Sequence, residues 1–170
     1  MDFDQVIKSR YSCKKFSNKK LEENKLNKIL EAGRLAPTAK NLQGYHVYVL
    51  RSAEYLDKID NITPCRYGAT TVLVVTYKKD NNYIYPGGKI NSGVEDATIV
   101  ASHMILAAAN EGVDSCWINN FDPHKLALEL DLPNNQEVVM IMDLGYKEEG
   151  FLPLSNHYKR KELDELVLYL

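Results

Sequence analysis

The spacing of apolar residues changes several times along the chain, and each change predicts an element. Phe3, Val6 and Ile7 recur at helical spacing, which predicts a short first helix ending near Arg10. Asn18 stands where a cap belongs, before a second helix carrying Leu21, Leu26, Ile29, Leu30 and Gly33 and stopped at Ala36-Pro37. Residues 46–50 read as a strand and 52–60 as a short charged helix. Residues 70–77 are β-branched and almost continuously apolar, the pattern of a central strand. Residues 80–91 are turn-rich, a loop or loose hairpin holding Tyr83 and Tyr85. Ser92-Gly93-Val94-Glu95 has the S-x-x-E form of a capping box. Ala97, Val100, Ala101, Met104, Ile105 and Ala108 follow on one face of a helix that Gly112 ends. Residues 115–118 predict a strand, 123–130 a helix, 138–144 a strand, and a last helix runs from near Lys161 to the C-terminus.

Neither a repeat nor a linker interrupts this order, so residues 1–170 are expected to form one domain. With 45% apolar and 26% charged residues the composition is that of a globular protein. No apolar run reaches the roughly 18 residues of a membrane span. Met1-Asp2-Phe3-Asp4 lacks the apolar core of a secretory signal, and a cytoplasmic location is expected. A net charge of −2 argues against a nucleic-acid partner. That sum hides two basic clusters. Lys8, Arg10, Lys14, Lys15, Lys19 and Lys20 face only Asp2 and Asp4 near one end, and Lys159-Arg160-Lys161 lies near the other. They suggest a small anion, against the plainer reading of solvated lysines. Cys13, Cys65 and Cys116 are too few and too far apart for a disulfide framework or a zinc site. His46, His103, His124 and His157 form no ligand pair, so no metal is expected. No G-x-G-x-x-G follows a strand and no phosphate-binding P-loop is present.

Three segments carry candidate chemistry. In Arg10-Tyr11-Ser12-Cys13-Lys14 the side chains of Arg10, Ser12 and Lys14 share one face if the backbone is extended, over roughly 13 Å. A guanidinium, a hydroxyl and an ammonium in a row suit an elongated phosphate-bearing anion, or else simply a solvated strand. The segment from Ala36 to Tyr45 (A-P-T-A-K-N-L-Q-G-Y) offers two amides and free backbone N–H groups, fit for a planar heterocycle or for an ordinary loop. Trp117, the sole tryptophan, ends a strand beside Asn119 and Asn120. Open sheets bind ligands at strand ends, although a lone tryptophan also fits a core.

Together these segments resemble the FMN-dependent nitroreductase family over nearly the whole chain. R-x-S-x-K-x-F near residue 10 is similar to that family's opening signature, and A-P-T-A-K-N-L-Q-G-Y to its A-P-S-x-x-N-x-Q-P-W/Y segment. L-A-A-A-N-E-G-V-D-S-C-W-I resembles its helix-to-strand unit, Asp143-Leu144-Gly145-Tyr146 its strand ending in G-Y, and Arg160-Lys161-Glu162-Leu163 its closing R-K-P-L. The resemblance implies an α+β fold: a central mixed, mostly antiparallel sheet flanked by helices, with a C-terminal arm extending onto a dimer partner. It implies that Arg10 and Ser12 meet the FMN phosphate and ribityl chain, with Tyr11 between them also a cofactor-binding residue. Lys14 would sit beside flavin N1 and O2, where a cation stabilises the charge of the reduced ring. Pro37, Thr38, Ala39, Asn41 and Gln43 would touch the flavin of the partner subunit. Trp117, Ile118, Asn119 and Asn120 would run past N5 and O4, and Arg160 and Lys161 would join the phosphate site.

The implied activity is ping-pong hydride transfer from NADH or NADPH through flavin N5 to an electron-poor acceptor such as a nitroaromatic or quinone. No catalytic side chain is required, because the cofactor carries the redox chemistry. A flavin-binding redox sensor or FMN carrier is the alternative, and dehalogenation or azoline oxidation would suit the same scaffold. The nicotinamide choice and the acceptor stay open. The chain also departs from the pattern. Gly44 replaces a proline and predicts a looser loop. Asp114 replaces a glycine and argues against a tight turn. Glu162 stands before Leu163 where the family has proline. The 80–92 loop is short for a cover over the substrate side. The sparse segment 147–160 suits an arm on another surface, and the small-residue helix 94–111 suits a subunit contact.

Overall fold

The computed structural model describes residues 2–170. Five α-helices and four strands follow in the order α1 (Phe3–Ser9), α2 (Glu23–Arg34), β1 (Tyr45–Leu50), α3 (Ala53–Ile62), β2 (Thr71–Lys78), α4 (Gly93–Asn110), β3 (Asp114–Ile118), α5 (Pro123–Glu129) and β4 (Gln136–Gly145). The strands form one sheet in the order β1-β2-β4-β3, and every adjacent pair is antiparallel. Of the mixed character expected, a single parallel bridge remains, Ser12 to Ser115. It lays the basic strip after α1 along the outer edge of β3, and a second bridge, Phe16 to Lys147, extends the contact.

The apolar run of β2 is explained by helices on both sheet faces. Leu73 and Val75 of β2 and Met140, Met142 and Leu144 of β4 pack with α2 and α4 on one face. Val72, Val74 and Ile141 point the other way, toward Ile59 of α3, Leu126 of α5, and Cys13, Phe16 and Cys116. Side chains of this size contribute about 1.5–3 kcal/mol each when fully buried. A bulge after Val75 ends the regular register of β2 with β4.

The small-residue face of α4 is used inside the protomer. It lets α2 come so close that a Cβ on Gly33 would lie 2.8 Å from Met104 Cγ. Three expectations change. Asn18 does not cap α2; the helix starts after Glu22. Residues 17–22 are held against the end of β4, where Ser17 N–H donates to Tyr146 O at 2.8 Å and the Tyr146 hydroxyl donates to Glu22. Ser92 and Glu95 form no capping box. The Ser92 hydroxyl donates to Asp96 at 2.7 Å, Glu95 takes the Tyr85 hydroxyl, and Asn91 accepts from Gly93 N–H at 2.9 Å instead. The C-terminal helix is only a 3₁₀ turn, Leu163–Glu165. Leu163, Leu166 and Leu168 are exposed, and a short helix with no packed face is marginal in water.

Candidate functional site

The basic strip is positioned by backbone. Cys13 N–H donates to Ser115 O at 2.8 Å, and Cys13 and Phe16 are buried. The alternation of an extended chain then turns Ser12 and Lys14 outward. They line a cleft of about 200 Å³ with Leu154, Asn156 and His157 of the C-terminal segment. Arg10 and Arg160, one from each basic cluster, are near enough for their charges to act on each other. Burial, and next the Arg160 charge, lower the Arg10 pKa. Burial, followed by Arg10 and Arg160, lowers His157 below its ordinary value. Among the described residues, no carboxylate forms an ion pair with Arg10, Lys14, Arg160 or Lys161. Cations gathered without a counter-charge suit a phosphate dianion.

Tyr11 is tied into the chain's own packing. Its hydroxyl donates to Asp114 at 2.8 Å and its ring stacks on Phe151 at 6.5 Å. Asp114 also accepts Lys147 N–H at 2.8 Å. The aspartate that replaces a family glycine thus clamps the strip to the start of the C-terminal segment. Lys161 is exposed and makes no hydrogen bond or ion pair among the described residues.

The end of β3 faces the same region. Trp117 is half-buried, with its indole N–H donating to Asn119 at 3.0 Å. Ile118 is 3% exposed and packs in the core. Asn120 Nδ2 lies 3.5 Å from Cys65 Sγ, and Asn120 O accepts the Thr63 hydroxyl at 2.8 Å. Hydrogen bonds from Tyr67 and then Asn120 lower the Cys65 pKa, with Lys14 contributing. The Lys14 ammonium lies 6.0 Å from the Tyr67 ring centroid. A second cleft, about 230 Å³, opens between Trp117, Asn119 and Phe121 and the α4 residues Val94 and Thr98.

The segment after Pro37 forms a tight turn. Ala39–Asn41 is a 3₁₀ turn, and Lys40, Asn41 and Gln43 have φ of 50°, 55° and 51°. Gln43 N–H donates to Thr38 Oγ1 at 3.1 Å, and Gln43 Nε2 donates to Asn41 O at 3.2 Å. Gly44 makes the turn tighter, not looser: a Cβ there would sit 2.1 Å from Asn81 O. Residues 80–92 form the hairpin expected, closed by an Ile84–Asn91 bridge. Among the described residues, no hydrogen bond, ion pair or ring contact joins Pro37, Thr38, Ala39, Asn41 or Gln43 to the Arg10–Lys14 strip.

His157 and Cys65 belong to no spaced motif and are not legible as site residues in the sequence, and Asp143 stands out there only as part of the strand ending in G-Y. Asp143 is fully buried opposite Val72 and Cys116, and neither of its oxygens has a hydrogen-bond partner in the chain. Burial pushes its carboxyl well above the usual range, against a weaker pull from Arg66. Burial also raises Cys116 to about 12 and Cys13 to about 11. No described helix is long and apolar enough to cross a membrane.

An antiparallel sheet between helix layers is an architecture shared with solved structures. A nitroreductase family protein of Clostridium difficile 630 superposes with a TM-score of 0.93 at 32% identity, covering 99% of this chain and 98% of that one. A nitroreductase with bound FMN from Bacteroides fragilis superposes at 0.80 with 25% identity over the full length of both. A putative NADH dehydrogenase/NAD(P)H nitroreductase of Methanothermobacter thermautotrophicus is 27% identical over 159 residues, 88% of this chain and 80% of that protein. The model of the nitroreductase family matches residues 7–65 and 63–146. The chain belongs to the nitroreductase family.

Proposed function

We propose that the protein is an FMN-dependent NAD(P)H oxidoreductase acting on small electron-poor molecules, and that residues 1–170 form one FMN-binding domain that works as a cytoplasmic homodimer. The observation that carries this is the meeting of Arg10, Arg160 and His157 beside Ser12 and Lys14 with no carboxylate to neutralise them. That donor set fits a phosphomonoester joined to a polyhydroxyl chain. When bound, FMN would supply two-electron chemistry, taking a hydride at N5 from a nicotinamide and passing it to the acceptor.

The chain's own residues do the rest. Arg10 and Arg160 hold the phosphate through charged hydrogen bonds, and Ser12 takes the ribityl end. Lys14 keeps a fixed positive charge at N1 and O2, where negative charge grows on reduction. The backbone at Trp117, Ile118, Asn119 and Asn120 lines the N5 and O4 edge. Pro37, Thr38, Ala39, Asn41 and Gln43 contact the flavin of the partner copy, which agrees with their lack of contact to the strip of their own chain. The exposed Leu152, Leu154, Tyr158, Leu166, Leu168 and Tyr169 suit an arm laid over that copy.

The test is a visible absorption spectrum after incubation with FMN, then anaerobic titration with NADH and with NADPH. The expected result is a yellow protein bleached by at least one nicotinamide and reoxidised by a quinone or nitroaromatic. Failure to take up FMN overturns the reading. Bound flavin that neither nicotinamide reduces overturns the reductase and leaves a sensor or carrier.

A further inference from the structure

Asp96 lies in the first turn of α4 and is 4% exposed. Both carboxylate oxygens are engaged. Oδ1 accepts the backbone N–H of Ala39 at 2.8 Å, and Oδ2 accepts the Ser92 hydroxyl at 2.7 Å. Ser92 is itself fully buried and exchanges two bonds with the hairpin: Tyr83 N–H donates to Ser92 Oγ at 3.2 Å, and Ser92 N–H donates to Tyr83 O at 2.9 Å. One carboxylate therefore joins the 38–43 turn to the 83–92 hairpin. Outer contacts follow the same line. Asn81 Nδ2 donates to Leu42 O at 3.1 Å, and Lys40 Nζ lies 4.7 Å from the Tyr83 ring centroid.

The turn needs such an anchor. Three residues other than glycine sit in the left-handed region, at roughly 1 kcal/mol or more each. A carboxylate can accept from two donors at once, whereas an asparagine offers one acceptor and one donor. We propose that Asp96 is a positioning residue that makes the flavin-contacting turn and the acceptor-side hairpin a single unit. The consequence is that the hairpin accompanies the turn onto the partner's flavin, and acceptor fit depends on both. This rests on the function proposed above.

The test compares Asp96→Ala, Asp96→Asn and Ser92→Ala with the native protein. Three readouts are hydrogen exchange at the Ala39 and Tyr83 amides, FMN affinity, and KM and kcat for a benzoquinone. Loss of one bond of about 1.4 kcal/mol is a tenfold change. Asp96→Ala should raise exchange at both amides about tenfold, weaken FMN about tenfold and raise the acceptor KM. Ser92→Ala should free Tyr83 alone, leave Ala39 protected, and raise KM with FMN affinity within about twofold. Asp96→Asn should keep the Ala39 bond and fall between them. An Asp96→Ala protein whose Ala39 amide stays protected overturns the proposal. So does Ser92→Ala if it frees Ala39 and weakens FMN as much as Asp96→Ala, because that is general loosening. If the native protein binds no FMN the functional reading fails, while the exchange pattern still decides whether Asp96 couples the loops.

Discussion

The Arg10–Lys14 strip and the 38–43 turn have opposite constructions. The strip is relaxed extended chain pinned to the edge of β3, and its content is unneutralised charge. The turn is neutral apart from Lys40, and its content is backbone shape, three left-handed residues held by the buried Asp96. A charged group tolerates small displacements because Coulomb attraction falls slowly with distance, while ring recognition by amides does not. On the function proposed above, the difference divides the work: the strip would hold the phosphate end of the ligand, and the turn would shape the ring end of a site on the other copy.

Affinity should expose that division first. Arg10→Ala is expected to weaken FMN about 100-fold, two charged hydrogen bonds' worth, and Asn41→Ala only about tenfold. Equilibrium dialysis of FMN against both variants checks the ratio, and equal losses would break the comparison. Within the strip, the proposed function separates Lys14 from Arg10 by placing it at the ring. Lys14→Ala should lower the flavin reduction potential and slow hydride uptake by about tenfold or more, with a smaller loss of FMN binding. Stopped-flow reduction and a redox titration measure it, and an unchanged potential removes the role given to Lys14.

The core beneath the strip supplies the third effect. Asp143 has a folded pKa above its unfolded value, so its contribution is fully present below about pH 4 and is lost as pH rises through the folded pKa. Asp143→Val should therefore be more stable than the native chain at pH 8, by about 1–3 kcal/mol, with the gain shrinking toward pH 5. Thermal unfolding across that range reads it; a gain that grows on acidification contradicts the sign. The smallest effect concerns thiols. Cys65 is partly exposed with a lowered pKa, whereas Cys13 and Cys116 are buried and raised. Iodoacetamide should label Cys65 first, and saturating FMN should slow that labelling several-fold. Mass spectrometry assigns the site, and labelling of Cys116 first would misplace the ring end of the site.

Much of this was legible beforehand because it is local. The alternation of Arg10, Ser12 and Lys14, the apolar run of β2 and the small face of α4 each fix their own geometry. The errors came where a side chain had a better partner far away in sequence. Ser92 looks like a cap, yet its hydroxyl is taken by Asp96 and the hairpin. Asn18 looks like another, but Tyr146 holds the chain extended there. Gly44 looks like a lost proline until Asn81 O comes within reach. The apolar C-terminal residues promised a helix, and none of the described residues covers the face that would stabilise it. His157 and Cys65 reach the site only through the fold, so no spacing announces them.

Mixing two defective copies tests the divided site most directly. An Arg10→Ala chain keeps its turn and an Asn41→Trp chain keeps its strip, so a mixed dimer holds one site with both halves intact. After co-refolding the two variants in equal amounts, FMN uptake should rise well above that of either variant alone, toward about a quarter of the native level, since half of the dimers are mixed and each holds one intact site of two. If the mixture binds no more FMN than its components, the strip and the turn do not serve one flavin across two copies.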